Sequence, residues 1–324
     1  MNKIAVFHWY SKFSLNIYSN LQNKGLRWLI MFISSRFCLV RDIVALWETR
    51  PSQVMQQDPS LVYSIDPTEE ALIVKDTFNT IARQLNETGI YQGLQLNQRI
   101  ISEIVSFAKS TAMLTRDIKP AITLTYASKK EIQASLGEQI LNGDYPNPTQ
   151  SCLAIHQLEN HPILHRIATD YLNREAIHQE TSLWWAFKSD RNPLTERIGP
   201  ENFHYDLDDY RSVSFFFYLT DVTPKSGAHL YVKGSHRRKK IKYQLSLLSR
   251  NVADTEIVQY YSSQTIETIC GNAGFGFAED SYGFHRIELP TTEDRLMLKI
   301  RFGFHRYLNN SISSEPTQNC ASPS

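Results

Sequence analysis

The spacing of apolar positions changes character near residue 180. Before it, apolar side chains recur at helical intervals. Ile100, Ile101, Ile104, Val105 and Ala108 mark one helix beyond the Thr88-Gly89 break, residues 69–86 read as another, and residues 161–172 as a third. A helix over 129–141, a strand over 122–126 and a turn at Asn142-Gly143-Asp144-Tyr145-Pro146 complete this mainly helical half. Beyond residue 180 come short runs rich in aromatic and β-branched residues, at 181–187, 212–220, 228–232, 273–278 and 295–302, which predict strands. Turn signals at Pro224-Lys225-Ser226-Gly227 and Lys233-Gly234-Ser235 separate them closely, as in an antiparallel sandwich or barrel.

The two ends differ from this body. Residues 51–67, rich in Pro, Gln and Asp, read as a connector, with Asp66-Pro67-Thr68-Glu69-Glu70 as a helix start. The first fifty residues are apolar and basic, carrying Lys3, Lys12, Lys24, Arg27, Arg36, Arg41 and Arg50 against Asp42 and Glu48. The apolar stretch 28–35 is cut by Arg36 and Arg41, far short of the roughly 20 apolar residues of a transmembrane segment. No small-residue cleavage site suits a signal peptide. Residues 1–67 therefore read as a basic, mostly helical extension and connector, docked on a domain spanning 68–307. The alternative is peripheral contact of residues 1–50 with an anionic membrane surface. Residues 308–324, rich in Ser, Asn and Pro, are expected to be disordered.

Composition narrows function mainly by exclusion. A net charge of +1 over 324 residues gives no overall electrostatic reason to expect nucleic acid as a partner. The widely spaced Cys38, Cys152, Cys270 and Cys320 contain no C-x-x-C pair. That argues against a structural zinc site or a disulfide framework, and for a reducing, cytoplasmic home.

Candidate chemistry concentrates in His204-Tyr205-Asp206, the distant His285, and Arg295. Histidine and aspartate two apart on extended backbone project to one side and can grip one ion. A third ligand from another strand would complete a two-histidine, one-carboxylate triad with open coordination positions, as in non-haem iron(II) oxygenases. Asp208 and Asp209 are rival carboxylates; Asp209 projects away from Asp206, and Asp208 joins its side only if the strand continues. Arg295, Lys299 and Arg301 share one face of a regular strand and compete for an anionic ligand, arginine being the better bidentate partner of a carboxylate.

Residues 202–303 resemble the phytanoyl-CoA dioxygenase-like family of iron(II)- and 2-oxoglutarate-dependent oxygenases. Phe203-His204-Tyr205-Asp206 is similar to the family's aromatic-His-x-Asp metal motif. Ser226-Gly227-Ala228-His229-Leu230-Tyr231-Val232-Lys233-Gly234-Ser235-His236 is similar to its glycine-led strand ending in a Gly-Ser-His turn. Gly283-Phe284-His285-Arg286 is similar to the distal metal histidine, and Arg295 follows close to the family's spacing for the co-substrate arginine. Residues 85–108 resemble the Gly-containing strand and helix with which the family's domain opens.

The resemblance implies an all-β core, a cupin-like double-stranded β-helix or jelly roll with helices packed on its larger sheet. It implies that His204, Asp206 and His285 ligate iron(II) as the catalytic centre, that Arg295 binds the distal carboxylate of 2-oxoglutarate, and that Phe216 walls the co-substrate pocket. The implied reaction consumes O2 and 2-oxoglutarate, releases succinate and CO2, and hydroxylates an unactivated carbon of a small or carrier-bound substrate. Related halogenating enzymes replace the carboxylate ligand with a small residue, so Asp206 points to hydroxylation. Lys233 stands where the family usually has proline, and residues 288–292 replace a small, Asn/Ser-containing stretch; neither departure removes a ligand.

Other charged residues have plainer readings. The basic run His236-Arg237-Arg238-Lys239-Lys240-Ile241-Lys242 reads as a solvated loop, with an anionic substrate as its functional alternative. His229, His156, His161, His165, His178 and His305 read as structural or surface residues. Two rival functions stand beside the oxygenase: a non-catalytic protein of the same fold with a binding or docking role, and a zinc-type hydrolase.

Overall fold

A computed structural model describes residues 3–48 (side chains from residue 18), 71–192, 196–197, 199–246 and 251–307. The expected helix start at Asp66-Pro67 and the expected disordered tail 308–324 lie outside the described residues. Strands run in the order β1 Leu72–Val74, β2 Ile90–Leu96, β3 Met113–Thr115, β4 Thr123–Leu124, β5 Asn142–Asp144, β6 Ile177–Ala186, β7 Ser212–Tyr218, β8 His229–Val232, β9 Ile266–Ile269, β10 Phe275–Glu279, β11 His285–Ile287 and β12 Arg295–Gly303. They pair antiparallel into a nine-stranded sheet, β1-β2-β10-β7-β12-β6-β5-β3-β4, and a three-stranded sheet, β11-β8-β9.

Strand alternation sends each side chain to one of two cores. Val213, Phe215 and Phe217 of β7, with Leu296, Leu298, Ile300 and Phe302 of β12, face outward onto the helices. In chain order the first helices are α1 Lys3–Ser34, α2 Cys38–Glu48, α3 Phe78–Thr88, α4 Gln98–Ser110 and α5 Lys129–Leu136. Of these, α3 and α4 bury Ile81, Leu85, Ile100, Ile101 and Ile104 there, alongside Leu164, Ile167 and Leu172 of the Pro162–Leu172 helix. The intervening residues, Phe216 and Tyr218 of β7, Met297 of β12, Trp184 of β6 and Phe277 of β10, face the smaller sheet and meet Tyr231 and Ile269. The two sheets thus sandwich an aromatic-rich layer.

The strands expected beyond residue 180 are present with small shifts in their ends, and β9 and β11 are additional. The first half departs further from expectation. Residues 69–86 are not one helix: β1 comes first, and α3 starts at Phe78 behind Thr77, whose side chain accepts the Thr80 N–H. The helix expected over 129–141 stops at Leu136. Asn142-Gly143-Asp144 is not a turn but strand β5, paired with Trp184–Ala186 of β6. This mainly helical half therefore contributes five strands to the large sheet.

The extension docks as its inner faces require. Phe32 and Cys38 pack against the cluster on the outer side of the small sheet. Arg41 is buried: it donates to Asp209 O at 2.9 Å, lies 3.7 Å from Asp280, and stacks over the Tyr282 ring at 3.8 Å. Arg41→Ala would leave the buried Asp280 carboxylate its bonds from Tyr171 and Tyr282 but no arginine to offset its charge, and removing one partner of a buried pair costs about 3–5 kcal/mol. Urea unfolding should register a loss of that order; a change below about 1 kcal/mol would mean that the contact behaves as an exposed ion pair.

Candidate active site

The site begins with side-chain alternation at residues 203–207. Phe203, Tyr205 and Leu207 are buried in the outer cluster, which turns His204 and Asp206 to the inner side. His204 N–H donates to His285 O and His285 N–H to His204 O, both at 2.9 Å, while Asp206 N–H donates to Ser281 O at 2.8 Å. The two histidines, far apart in sequence, thus become directly opposed antiparallel residues.

One coordinating atom from each of His204, Asp206 and His285 lies within 4.8 Å of the others, so the three could hold a metal ion. His285 Nε2 stands 3.8 Å from Asp206 Oδ2, and the imidazole centroids are 4.4 Å apart. Both Nδ1 atoms face backbone carbonyls two residues back, Asn202 O at 2.9 Å and Gly283 O at 3.0 Å. Those bonds assign Nδ1 as the N–H donor and put the lone pair on Nε2 in each ring. Burial first, then the neighbouring His204, push His285 down to about 4, which keeps it in the neutral form that metal coordination needs.

Arg295 forms the second part of the site. Its side chain is fully buried, Nη1 donates to Gly227 O, and Nε and Nη2 have no hydrogen-bond partner. Burial pushes it down to about 10, so it remains a cation at neutral pH. Gly227 makes room for it: φ is +91°, and a Cβ there would stand 3.3 Å from Arg295 Nη1 and 3.0 Å from Pro290 Cγ.

The rival cations are already neutralised. Arg301 pairs with Asp208 and, at 2.8 Å, with Glu180; Lys299 pairs with Glu180 at 2.9 Å. Burial works against the Arg301 charge, but Asp208 and Glu180 outweigh it and hold the group above its ordinary range. Asp208 does share the side of Asp206, although it serves Arg301. Asp209 is turned elsewhere, accepting from Gln179 and from the His305 backbone, both at 2.7 Å.

Phe216 lies on the inner face, stacked on Phe277 with centroids 5.0 Å apart and 5.4 Å from the His229 ring. His229 corrects the expectation of a merely structural or surface histidine. It is buried beside the triad, 5.5 Å from the His285 ring, and Nε2 meets Glu279 Oε2 at 2.8 Å. Burial drives both partners toward their uncharged forms, His229 down to about 3, with Arg295 as the next cause, and Glu279 up to about 7. His229 Nδ1 is a further buried atom without a partner. The available sequence signal is alternation in β8, which puts His229 on the same inward face as Tyr231.

The basic run 236–242 is also not simply solvated. His236 is buried against Asn86 O at 3.0 Å, and Lys239 sits over the Tyr205, Tyr282 and Phe284 rings at 4.1–4.7 Å. His161 caps the Pro162–Leu172 helix, its ring accepting the Ile163 N–H at 3.3 Å. A cavity of about 420 Å³ reaches Asp206, walled by Glu180, Asp208, Lys299 and Arg301 and by Lys24 and Trp28 of α1.

No family model matches the chain, and no curated protein matches it. Among solved structures it is similar to the non-heme alpha ketoglutarate dependent epimerase SnoN from nogalamycin biosynthesis, at 14% identity over 69% of this chain and 82% of that one, TM-score 0.49. It is also similar to EvdO2 from Micromonospora carbonacea var. aurantiaca complexed with 2-oxoglutarate, at 15% identity over 71% and 92%, TM-score 0.47. A third likeness is to the non-heme monooxygenase ThoJ, at 14% identity over 68% and 76%, TM-score 0.46. Likeness at these identities and scores assigns no activity to the chain.

Proposed function

We propose that the chain is an iron(II)- and 2-oxoglutarate-dependent oxygenase of the phytanoyl-CoA dioxygenase-like kind, built on a double-stranded β-helix and hydroxylating an unactivated carbon of a small or carrier-bound substrate. The observation that carries this reading is Arg295: a buried guanidinium whose Nε and Nη2 lack partners, close enough to His229 to depress its basicity. A charge in that position is costly unless an anion arrives to pair with it, and a planar fork of N–H donors suits a carboxylate. The donor set fits as well. Two imidazoles and one carboxylate, gathered on one side, are the ligands that hold non-haem iron(II) with positions to spare.

In this reading His204, Asp206 and His285 hold the iron, and Arg295 holds the far carboxylate of 2-oxoglutarate. Iron(II), 2-oxoglutarate and O2, when bound, supply the oxidative decarboxylation that yields succinate and CO2 and drives hydroxylation. The carbonyls of Asn202 and Gly283 fix the tautomer of each histidine and aim Nε2 at the ion. Phe216, stacked on Phe277 on the inner face, would wall the co-substrate. Substrate enters through the cavity at Asp206, where Lys299 and Arg301 are neutralised by Glu180 and Asp208.

Anaerobic titration with iron(II) and then 2-oxoglutarate tests the reading. The chelate should show a weak visible charge-transfer band, and admitting O2 should release succinate. A protein that binds neither would be a non-catalytic member of the fold, and the oxygenase reading would fall.

A further inference from the structure

The outer faces of α1 and α2 are apolar where a soluble helix is polar. Eight of the sixteen exposed large hydrophobic side chains among the described residues lie between residues 18 and 47. On α2, Leu39, Ile43, Leu46 and Trp47 fall on one stripe, with Leu39 70%, Leu46 74% and Trp47 85% exposed. After the break at Gly25 (φ 77°), Leu26, Ile30 and Ile33 form a similar stripe on α1. The polar groups are turned inward instead: Arg36 and Arg41 are buried against the domain.

We infer that this face docks in the plane of an anionic lipid surface. Charge selects the occupant. Of the seven cations in residues 1–50, Arg36 and Arg41 are consumed inside the protein, and of the two acids Glu48 is consumed by Arg174. The sequence of residues 1–50 thus keeps an excess of basic over acidic residues, and Arg27 is exposed on α1 beside the apolar stripe. A second copy of the chain would bring that excess against itself, whereas anionic headgroups neutralise it. An aliphatic stripe ending in an exposed Trp suits the headgroup boundary, where one edge of the indole stays wet. No helix among the described residues is long and apolar enough to cross a membrane, so the helices lie on the surface. The inward side of α1 contributes Lys24 and Trp28 to the cavity at Asp206, which makes the docked face and a cavity wall two sides of one helix.

Flotation of the full chain with vesicles of phosphatidylcholine, with and without phosphatidylserine, tests this independently of catalysis. The chain should float with the phosphatidylserine vesicles. The double variant Leu46→Glu/Trp47→Glu, at positions too exposed to be needed for folding, should lose at least about tenfold in partitioning with its thermal midpoint unchanged, because binding scales with buried apolar area. Arg27→Glu should weaken binding to anionic vesicles only. Failure to float, or equal flotation of the double variant, would overturn the inference. So would sedimentation showing a dimer that the same double variant converts to monomer, since the face would then pair two copies.

Discussion

Asp206→Ala is expected to abolish iron-dependent release of succinate while leaving the fold intact. Asp206 is partly exposed at the cavity, and its backbone N–H donates to Ser281 O. Its removal opens no hole in a core. Changing a residue that merely supports a metal ligand commonly costs about 10–100-fold in affinity or activity, so removing a ligand should cost at least about a hundredfold. Asp208 and Glu180, the other carboxylates lining that cavity, are committed to Arg301 and Lys299. The check is iron retention after gel filtration together with succinate yield; wild-type iron content in the alanine variant would remove Asp206 from the ligand set.

Arg295→Met should produce two effects of opposite sign. In the absence of 2-oxoglutarate the parent protein keeps a buried cation paired with a single carbonyl. Replacing buried charge with an apolar side chain of similar volume is often neutral or stabilising by about 1–4 kcal/mol. The variant should therefore unfold at the same or higher denaturant concentration. Its affinity for 2-oxoglutarate should fall by about 2–5 kcal/mol, the usual cost of truncating one member of a buried charge pair. Calorimetric titration against 2-oxoglutarate and a urea melt separate the two effects. Unchanged affinity would move the anion site to Arg301, and a strongly destabilised variant would make Arg295 a structural residue.

Legibility in the sequence followed the physical source of each feature. The strands beyond residue 180 were readable because β-branched and aromatic side chains fit a pleated, buried surface on both faces. Strands β1, β3 and β5 were not, being three residues long, and β5 consists of turn formers. Gly143 sits in a strand because it packs between β3 and β6, a tertiary reason that local propensity cannot carry. The residues brought together at the site, His204, Asp206 and His285, could be named because residue type and order carry that chemistry. The His229–Glu279 pair could not, since only the stacking of two sheets brings β8 and β10 together there. Lys239 was hidden for a related reason: a lysine in a basic run reads as solvated, but three aromatic rings from two distant segments bury its amine.

The reciprocal backbone bonds between His204 and His285 also decide how such a site would respond to a chelator. In small zinc modules the ion creates the fold and its withdrawal unfolds the chain. Here peptide groups set the spacing of the two imidazoles, and the ion would find them already preorganised. Stripping with a chelator should therefore leave the far-ultraviolet circular dichroism unchanged, and reconstitution should be rapid and fully reversible. Loss of secondary structure on stripping would instead mean that the ion holds the strands together.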